Sequence, residues 1–370
     1  MRYIRYKIEK QQINFLNCNK IDEWIDTCHT RDTDFIDVCA SNCDCGSTVG
    51  LPSGTGSTTG STSGCTIRTT VRGHLNYDTF LRNNDIEVTF DKLLIDGVLF
   101  GTWITQYFFR DEKIHTVDYF GLEHIDSFFI GSGIITAVIL DGLTTIGYSA
   151  FTNCKSLTSV TIPSSVTDIR NEAFSGCTSL SSITIPDSVT SIGNGAFENC
   201  SGLTSIAIPD SVTYIGDNSF KNCKSLTSVT IPYGVKSIRT NTFDNCVSLK
   251  TVTIPDSVTN ISFYAFTNCT SLTSVTIPDS VTSIYSYAFS GCTSLKSFTI
   301  GSGLKSIDDG IFTSCSSLNS ITCYATTAPT FGIDVFKQLP TNGTLHVPNG
   351  SDYSTWLSEL GSGWTVEYLI

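Results

Sequence analysis

Cysteine is the residue with the most chemistry to offer in this chain, at fifteen among 370 residues. Cys18, Cys28, Cys39, Cys43 and Cys45 fall in the first 45 residues, beside His29, and CASNCDC places three of them at C-x3-C-x-C spacing. Zinc sites favour paired thiolate and imidazole ligands at short spacing, which makes Cys28, His29, Cys39, Cys43 and Cys45 the candidate metal ligands. The spacing is not the usual pair of pairs, so free thiols are the first reading and a disulfide is another. Eight further cysteines, Cys154, Cys177, Cys200, Cys223, Cys246, Cys269, Cys292 and Cys315, recur every 23 residues. Such a series has the look of a metal ladder or a run of disulfides. A small, weakly polar side chain buried once per repeat is the simpler reading, because structural cysteines in apolar surroundings are inert. No cofactor is expected.

Other chemistry is sparse. The five histidines are scattered, with only His115 and His124 near one another. The chain lacks H-E-x-x-H, G-x-S-x-G, a P-loop and G-x-G-x-x-G. Asp187, Asp210, Asp256 and Asp279 recur in an I-P-D-S-V turn, where their side chains are expected to cap backbone donors. A catalytic site needs an asymmetric constellation, which a repeat does not supply, so the chain is read as no enzyme. A formal charge of -12 argues against a nucleic-acid surface, and no apolar run is long enough to insert into a membrane. Charged residues make up 15%, against the usual quarter or so, so hydroxyls and amides must cover much of the surface.

The cysteine period is shared by Phe151, Phe174, Phe197, Phe220, Phe243, Phe266, Phe289 and Phe312, and by leucines from Leu157 to Leu318. One unit reads SVTSIGNGAFENCSGLTSIAIPD. Within it, Val160 and Ile162 alternate with Ser159 and Thr161, the period of a half-buried strand, and Pro163 ends the strand. Val166, Ile169 and Phe174 then point back inside. A single unit cannot bury its own apolar face, so the units must stack as a solenoid. Parallel strands about 4.8 Å apart would let eight units span roughly 40 Å.

The segment IPDSVTSIGNGAFENCSGLTSI resembles the BspA-type leucine-rich repeat, found in surface proteins of anaerobic bacteria and in some protists. ATTAPTFGIDVF followed by GTLHVPNGSDYSTW resembles the closing segment of Bacteroidetes members of that family. The resemblance implies a leucine-rich-repeat arc with parallel β-strands, and adhesion to matrix, cells or host surfaces.

Five regions follow along the chain: a docking segment over 1–45, a Gly/Ser/Thr linker over 46–64, a small β-rich segment over 65–112, the solenoid over 113–323, and a C-terminal cap over 324–370. In the first, Ile21, Ile25 and Cys28 share one helical face and suit docking onto a larger body. The linker reaches roughly 25 Å as a random coil. The β-rich segment is either a docked domain or an extended cap. MRYIRYKIEKQQINF interleaves charges with apolar residues and is not expected to act as an export signal; reduced thiols follow as the default.

Outward strand positions form one row from Ser159 to Ser320 and another from Thr161 to Thr322, almost all hydroxyls. Variation is confined to the return turns, so Arg170, Asn194, Asp217, Arg239, Phe263 and Tyr285 are the candidate binding residues. The expected partners are a protein or glycan surface and a larger assembly gripped through residues 1–45, with a second copy of the chain as a further candidate. The expected setting is the virion of a phage infecting Bacteroidetes, after cytoplasmic synthesis. A bacterial or protist cell surface is the alternative, and a purely structural spacer or scaffold the second.

Overall fold

The computed structural model describes residues 143–369 with their side chains, and before them the backbone of the strands Arg2–Glu9, Gln12–Ile13, Phe35–Ala40, Cys65–Arg72, Lys92–Ile95, Val98–Gly101, Ile114–Leu122 and Ile134–Ile139. Residues 143–369 form a parallel-strand solenoid of stacked coils. Each coil opens with a front strand such as Ser182–Thr184, whose burial alternates exposed, buried, exposed. Successive front strands pair parallel with one repeat's offset, as in Ile183 with Ile206, Val229 with Val252 and Phe298 with Ile321. After the proline turn comes a two-residue strand, and these pair parallel as a second ladder: Ile169 meets Ile146 and Ile192, and Ile261 meets Ile238 and Ile284. The third side consists of turns whose N–H groups donate to the next coil, such as Phe151 to the Ala173 carbonyl (2.7 Å) and Phe174 to that of Ala196 (2.8 Å).

Two positions per coil adopt left-handed backbone. One directly precedes the repeat cysteine: Asn153, Asn199, Asn222, Asn245 and Asn268 have φ near +60°, and Gly176 and Gly291 about +75°. Asn and Gly tolerate this region at little steric penalty, which explains the N-C and G-C dipeptides. The amides add their own ladder: Asn222 Nδ2 donates to Asn199 Oδ1 (2.8 Å) and Asn245 Nδ2 to Asn222 Oδ1 (2.6 Å).

Inside, the eight phenylalanines are fully buried. From Phe151 to Phe289 the rings stack at 5.1 to 5.5 Å between centroids, with planes within 12° of parallel. Phe298, standing where other front strands have Val or Ile, then wedges edge-on between Phe289 and Phe312. The cysteines are equally buried. From Cys177 to Cys315 each thiol donates to the carbonyl of the phenylalanine 26 residues earlier, at 3.1 to 3.3 Å. That carbonyl already accepts the N–H of its own coil's cysteine, so the thiol meets its second lone pair. Ala would leave that acceptor with one partner.

The turn aspartates behave differently from expectation. Asp279 Oδ1 accepts the Ser302 N–H (2.6 Å), but the recurrent bond of this turn comes from the adjacent serines. Ser188 donates to the Val166 carbonyl (2.5 Å), Ser211 to Val189 (2.7 Å) and Ser280 to Val258 (2.7 Å). These acceptors are carbonyls, which an ionised Asp cannot serve.

Both ends depart from the repeat. Ile134–Ile139 pairs parallel with Ser159–Thr161 and antiparallel with Cys65–Arg72, which pairs in turn with Ile114–Leu122. The β-rich segment is therefore continuous with the front sheet, and the parallel ladder begins at Ile134–Ile139. At the other end the ladder runs on through Gly343–Pro348 to Trp364–Leu369. Helix α1 (Ser354–Leu360) crosses between them. Its buried Trp356 donates Nε1 to the Pro329 carbonyl at 3.0 Å, while Tyr353 donates to that of Ala325 at 2.8 Å.

Phe220→Ala is expected to cost about 3–5 kcal/mol through the cavity it opens, with damage centred on its own coil and readable by hydrogen exchange. Ser219 has the opposite prospect. Its buried hydroxyl lacks a hydrogen-bond partner, and alanine holds the equivalent position at Ala173, Ala196 and Ala265. Ser219→Ala should stabilise by about 1 kcal/mol in chemical denaturation. A pH dependence follows from the thiols. Burial raises them all from Cys177 to Cys315, Cys200 and Cys315 to about 12. Unfolded thiols ionise near about 8.5, so above that pH the unfolded chain binds fewer protons than the folded one. Stability is full below about pH 8.5 and falls as pH rises toward about 12. Melts compared at about pH 7.5 and about pH 10 should show a lower midpoint at the higher pH.

Candidate functional site

Two surfaces of the solenoid offer groups to a partner. The front sheet projects two rows one residue apart from the buried strand positions. One runs Ser159, Ser182, Ser205, Ser228, Thr251, Ser274, Ser297 and Ser320; the other runs Thr161, Thr184, Ala207, Thr230, Thr253, Thr276, Thr299 and Thr322. All are exposed as far as Thr276 and half-buried beyond it. Fifteen of the sixteen are hydroxyls, and none makes a side-chain hydrogen bond to another of the described residues. By contrast, the threonines before the second strands, Thr190, Thr213 and Thr282, donate to the previous coil's carbonyls at 3.3 to 3.4 Å. As far as Thr276 the front hydroxyls thus stand with their full bonding capacity toward solvent, on a lattice set by strand pairing.

The second surface is the return edge after each two-residue strand, and the structure brings the six variable residues named from the sequence into two adjacent rows there. Arg170, Arg239 and Tyr285 occupy the first; Asn194, Asp217 and Phe263 the second. They do different things. Asn194 Oδ1 accepts the Asp217 N–H (2.9 Å) and Asp217 Oδ1 the Thr240 N–H (3.2 Å), so these two side chains tie one coil's backbone to the next. The Arg170 guanidinium lies over the Tyr148 ring at 5.1 Å. Arg239 lies over Tyr214 at 5.2 Å and also binds Asp217, Nε to Oδ1, at 3.1 Å; that hydrogen bond holds its pKa above the ordinary value. Phe263 and Tyr285 contact each other with centroids 5.1 Å apart.

Sequence reasoning missed Tyr264 and Tyr287 beside them. Their rings stack at 5.4 Å, 4° from parallel, from the second left-handed position of the coil, where Asn218, Asn241 and Gly195 stand elsewhere. The exchange of Asn for Tyr in two consecutive units was the available signal.

The candidate ligands Cys28, His29, Cys39, Cys43 and Cys45, and the helical face of Ile21, Ile25 and Cys28, have side chains outside the described residues. Among the described residues no three His, Cys, Asp or Glu side chains converge as a metal site, and no helix is long and apolar enough to cross a membrane.

The family described as BspA type leucine rich repeat region matches residues 123–250 and 236–352, in six copies. No curated protein matches the chain. Among solved structures, a leucine-rich repeat protein from Bacteroides ovatus is 23% identical, over 76% of this chain and 90% of that one, with a TM-score of 0.46. A leucine-rich cell surface protein from Faecalibacterium prausnitzii is 28% identical, over 60% and 92%, with a TM-score of 0.33. The T. pallidum leucine-rich repeat protein is 27% identical, over 64% and 92%, with a TM-score of 0.38. With the family's repeats spanning more than half its length, the chain belongs to the BspA-type leucine-rich-repeat family.

Proposed function

We propose that this protein is a non-enzymatic adhesion or recognition module displayed on a larger assembly, with residues 1–45 as its attachment and the solenoid turned outward. The observation that carries the reading is the front face, where two rows of hydroxyls stand without side-chain bonds among the described residues. Each hydroxyl is already hydrated, so one new hydrogen bond adds little net free energy. Affinity must come from many equivalent contacts made together, which suits a repetitive polar partner such as a glycan or protein surface. The distribution of reactive groups supports the absence of catalysis. Among the described residues, the thiols are sealed in the core. His346, the single histidine among the described residues, is tied to Glu367 at 3.3 Å. Virion display is the narrower form of the proposal, and a bacterial or protist cell surface is the alternative.

Fractionating material from the natural source and probing with an antibody tests the setting. The protein should co-sediment with virions and be lost from them when residues 1–45 are deleted. Recovery in the cell envelope would select the alternative, and recovery as free soluble protein would overturn display. The front face has its own test: Thr184→Val, Thr230→Val, Thr253→Val and Thr276→Val combined should reduce surface attachment several-fold by removing a row of bonds and leave the melting temperature in place. Unchanged attachment would remove the hydroxyl face from the mechanism.

A further inference from the structure

On the return edge, the first half of the solenoid matches its aromatic rings with cations of its own. Arg170 covers Tyr148, and Arg239 covers Tyr214 while binding Asp217. Ring, guanidinium and carboxylate thus form a complete set. The second half keeps the rings and the carboxylates and omits the cation. Phe263, Tyr264 and Tyr287 are 43, 41 and 36% exposed, with Tyr285 half-buried between them. Asp308 follows Tyr285 in its row, and Asp309 stands in the row of Phe263 and Asp217. Among the described residues, the Lys and Arg ion pairs go to Asp244, Asp217 and Asp334, and none reaches Asp308 or Asp309. Desolvation, and then the neighbouring Asp309 charge, raise the Asp308 carboxyl above its ordinary value, as expected of a pair without a counter-ion.

The backbone adds a second observation. Tyr264 and Tyr287 hold φ of 58° and 61°, a conformation in which a bulky residue is an outlier. Asn or Gly meets it in most neighbouring coils. Partly exposed rings regain little by packing, so the strain is retained for a surface rather than for the core. Gly310, next in the row, leaves room for the Tyr287 ring; a Cβ there would run into it.

We propose that Phe263, Tyr264, Tyr285, Tyr287, Asp308 and Asp309 form a binding edge for a cationic segment of a partner polypeptide. Its Arg or Lys side chains complete, from outside, the set that Arg239 completes within the chain. Cations are attracted to aromatic faces, exposed apolar clusters mark interaction sites, and the formal charge of -12 favours the approach of a basic partner. This deepens the recognition reading and rests on it by naming the partner chemistry at one edge.

Isothermal titration of the full chain with a synthetic peptide of alternating Arg and Gly tests the edge, with the Glu counterpart and a neutral glucose hexasaccharide as comparators. The Arg peptide should bind, more weakly as salt rises, and the Glu peptide should not. Tyr264→Asn with Tyr287→Asn should weaken binding about tenfold. Asn already occupies this backbone position at Asn218 and Asn241, so the melting temperature should hold or rise. Asp308→Asn should weaken binding and flatten the salt dependence. No preference for the Arg peptide, or equal binding by the variants, would overturn the proposal. Hexasaccharide binding that the tyrosine variants abolish, without Arg-peptide binding, would overturn it in favour of a glycan edge. The tyrosine variants should fractionate as the unaltered protein does, so failure here leaves the display reading to its own test.

Discussion

Everything in this molecule depends on backbone groups that only a neighbouring coil can satisfy. A coil taken alone would leave donors and acceptors open on the front strand, the second strand and the turn side at once, and unpaired polar groups facing a buried interface are costly. Offset by one repeat, the next coil meets all three sets together. This is why the chain keeps one period through side chains as different as Cys, Phe, Leu and Asn. The front strands also shift their apolar faces inward in step, since a one-residue slip would turn each strand inside out. Near the C-terminus the offset grows by one residue: Thr330 pairs with Ser306, and the spacing from Phe312 to Phe336 widens to 6.4 Å with a 22° tilt. Beyond the Phe298 wedge the stack does not resume, and where the period grows Phe331, Phe336, Tyr353 and Trp356 form a cluster of edge-to-face and tilted rings.

The same dependence makes the ends a separate problem. A terminal coil presents open strand edges and an uncovered core. The N-terminal answer is to change pairing sense, with Cys65–Arg72 running antiparallel against Ile134–Ile139. The C-terminal answer is an additional parallel strand, Trp364–Leu369, with helix α1 laid across the core and Trp356 driven into it.

Much of this was legible in the sequence because the period is written in side chains. Phe151 to Phe312, Cys154 to Cys315 and the strand alternation each mark a fixed place in the coil, and a place repeated eight times reveals its environment. What escaped was of two kinds. The antiparallel pairing of Cys65–Arg72 is a non-local choice made once, so no repetition advertises it. The roles of Asn194 and Asp217 depended on where an Oδ1 points, and variability in a turn looks the same whether a side chain greets solvent or grips the next coil. Asp187 and its equivalents gave the converse lesson: recurrence identified the turn correctly while the adjacent serine carried the bond. Tyr264 and Tyr287 could be seen as substitutions but not as strained, because the left-handed backbone beneath them is not visible in residue types.

Cysteine number is ordinarily read as a clue to compartment, reduced thiols pointing inside the cell and bridges outside. The carbonyl-bound, solvent-free thiols of this core break that connection. An oxidant or a foreign disulfide must be attacked by, or must reach, a thiolate, and from Cys177 to Cys315 burial suppresses the thiolate and closes the path to it. The folded array is therefore shielded from bridge formation even in air-exposed surroundings. A single opened coil would be the vulnerable species, carrying a newly reactive sulfur at the site of damage.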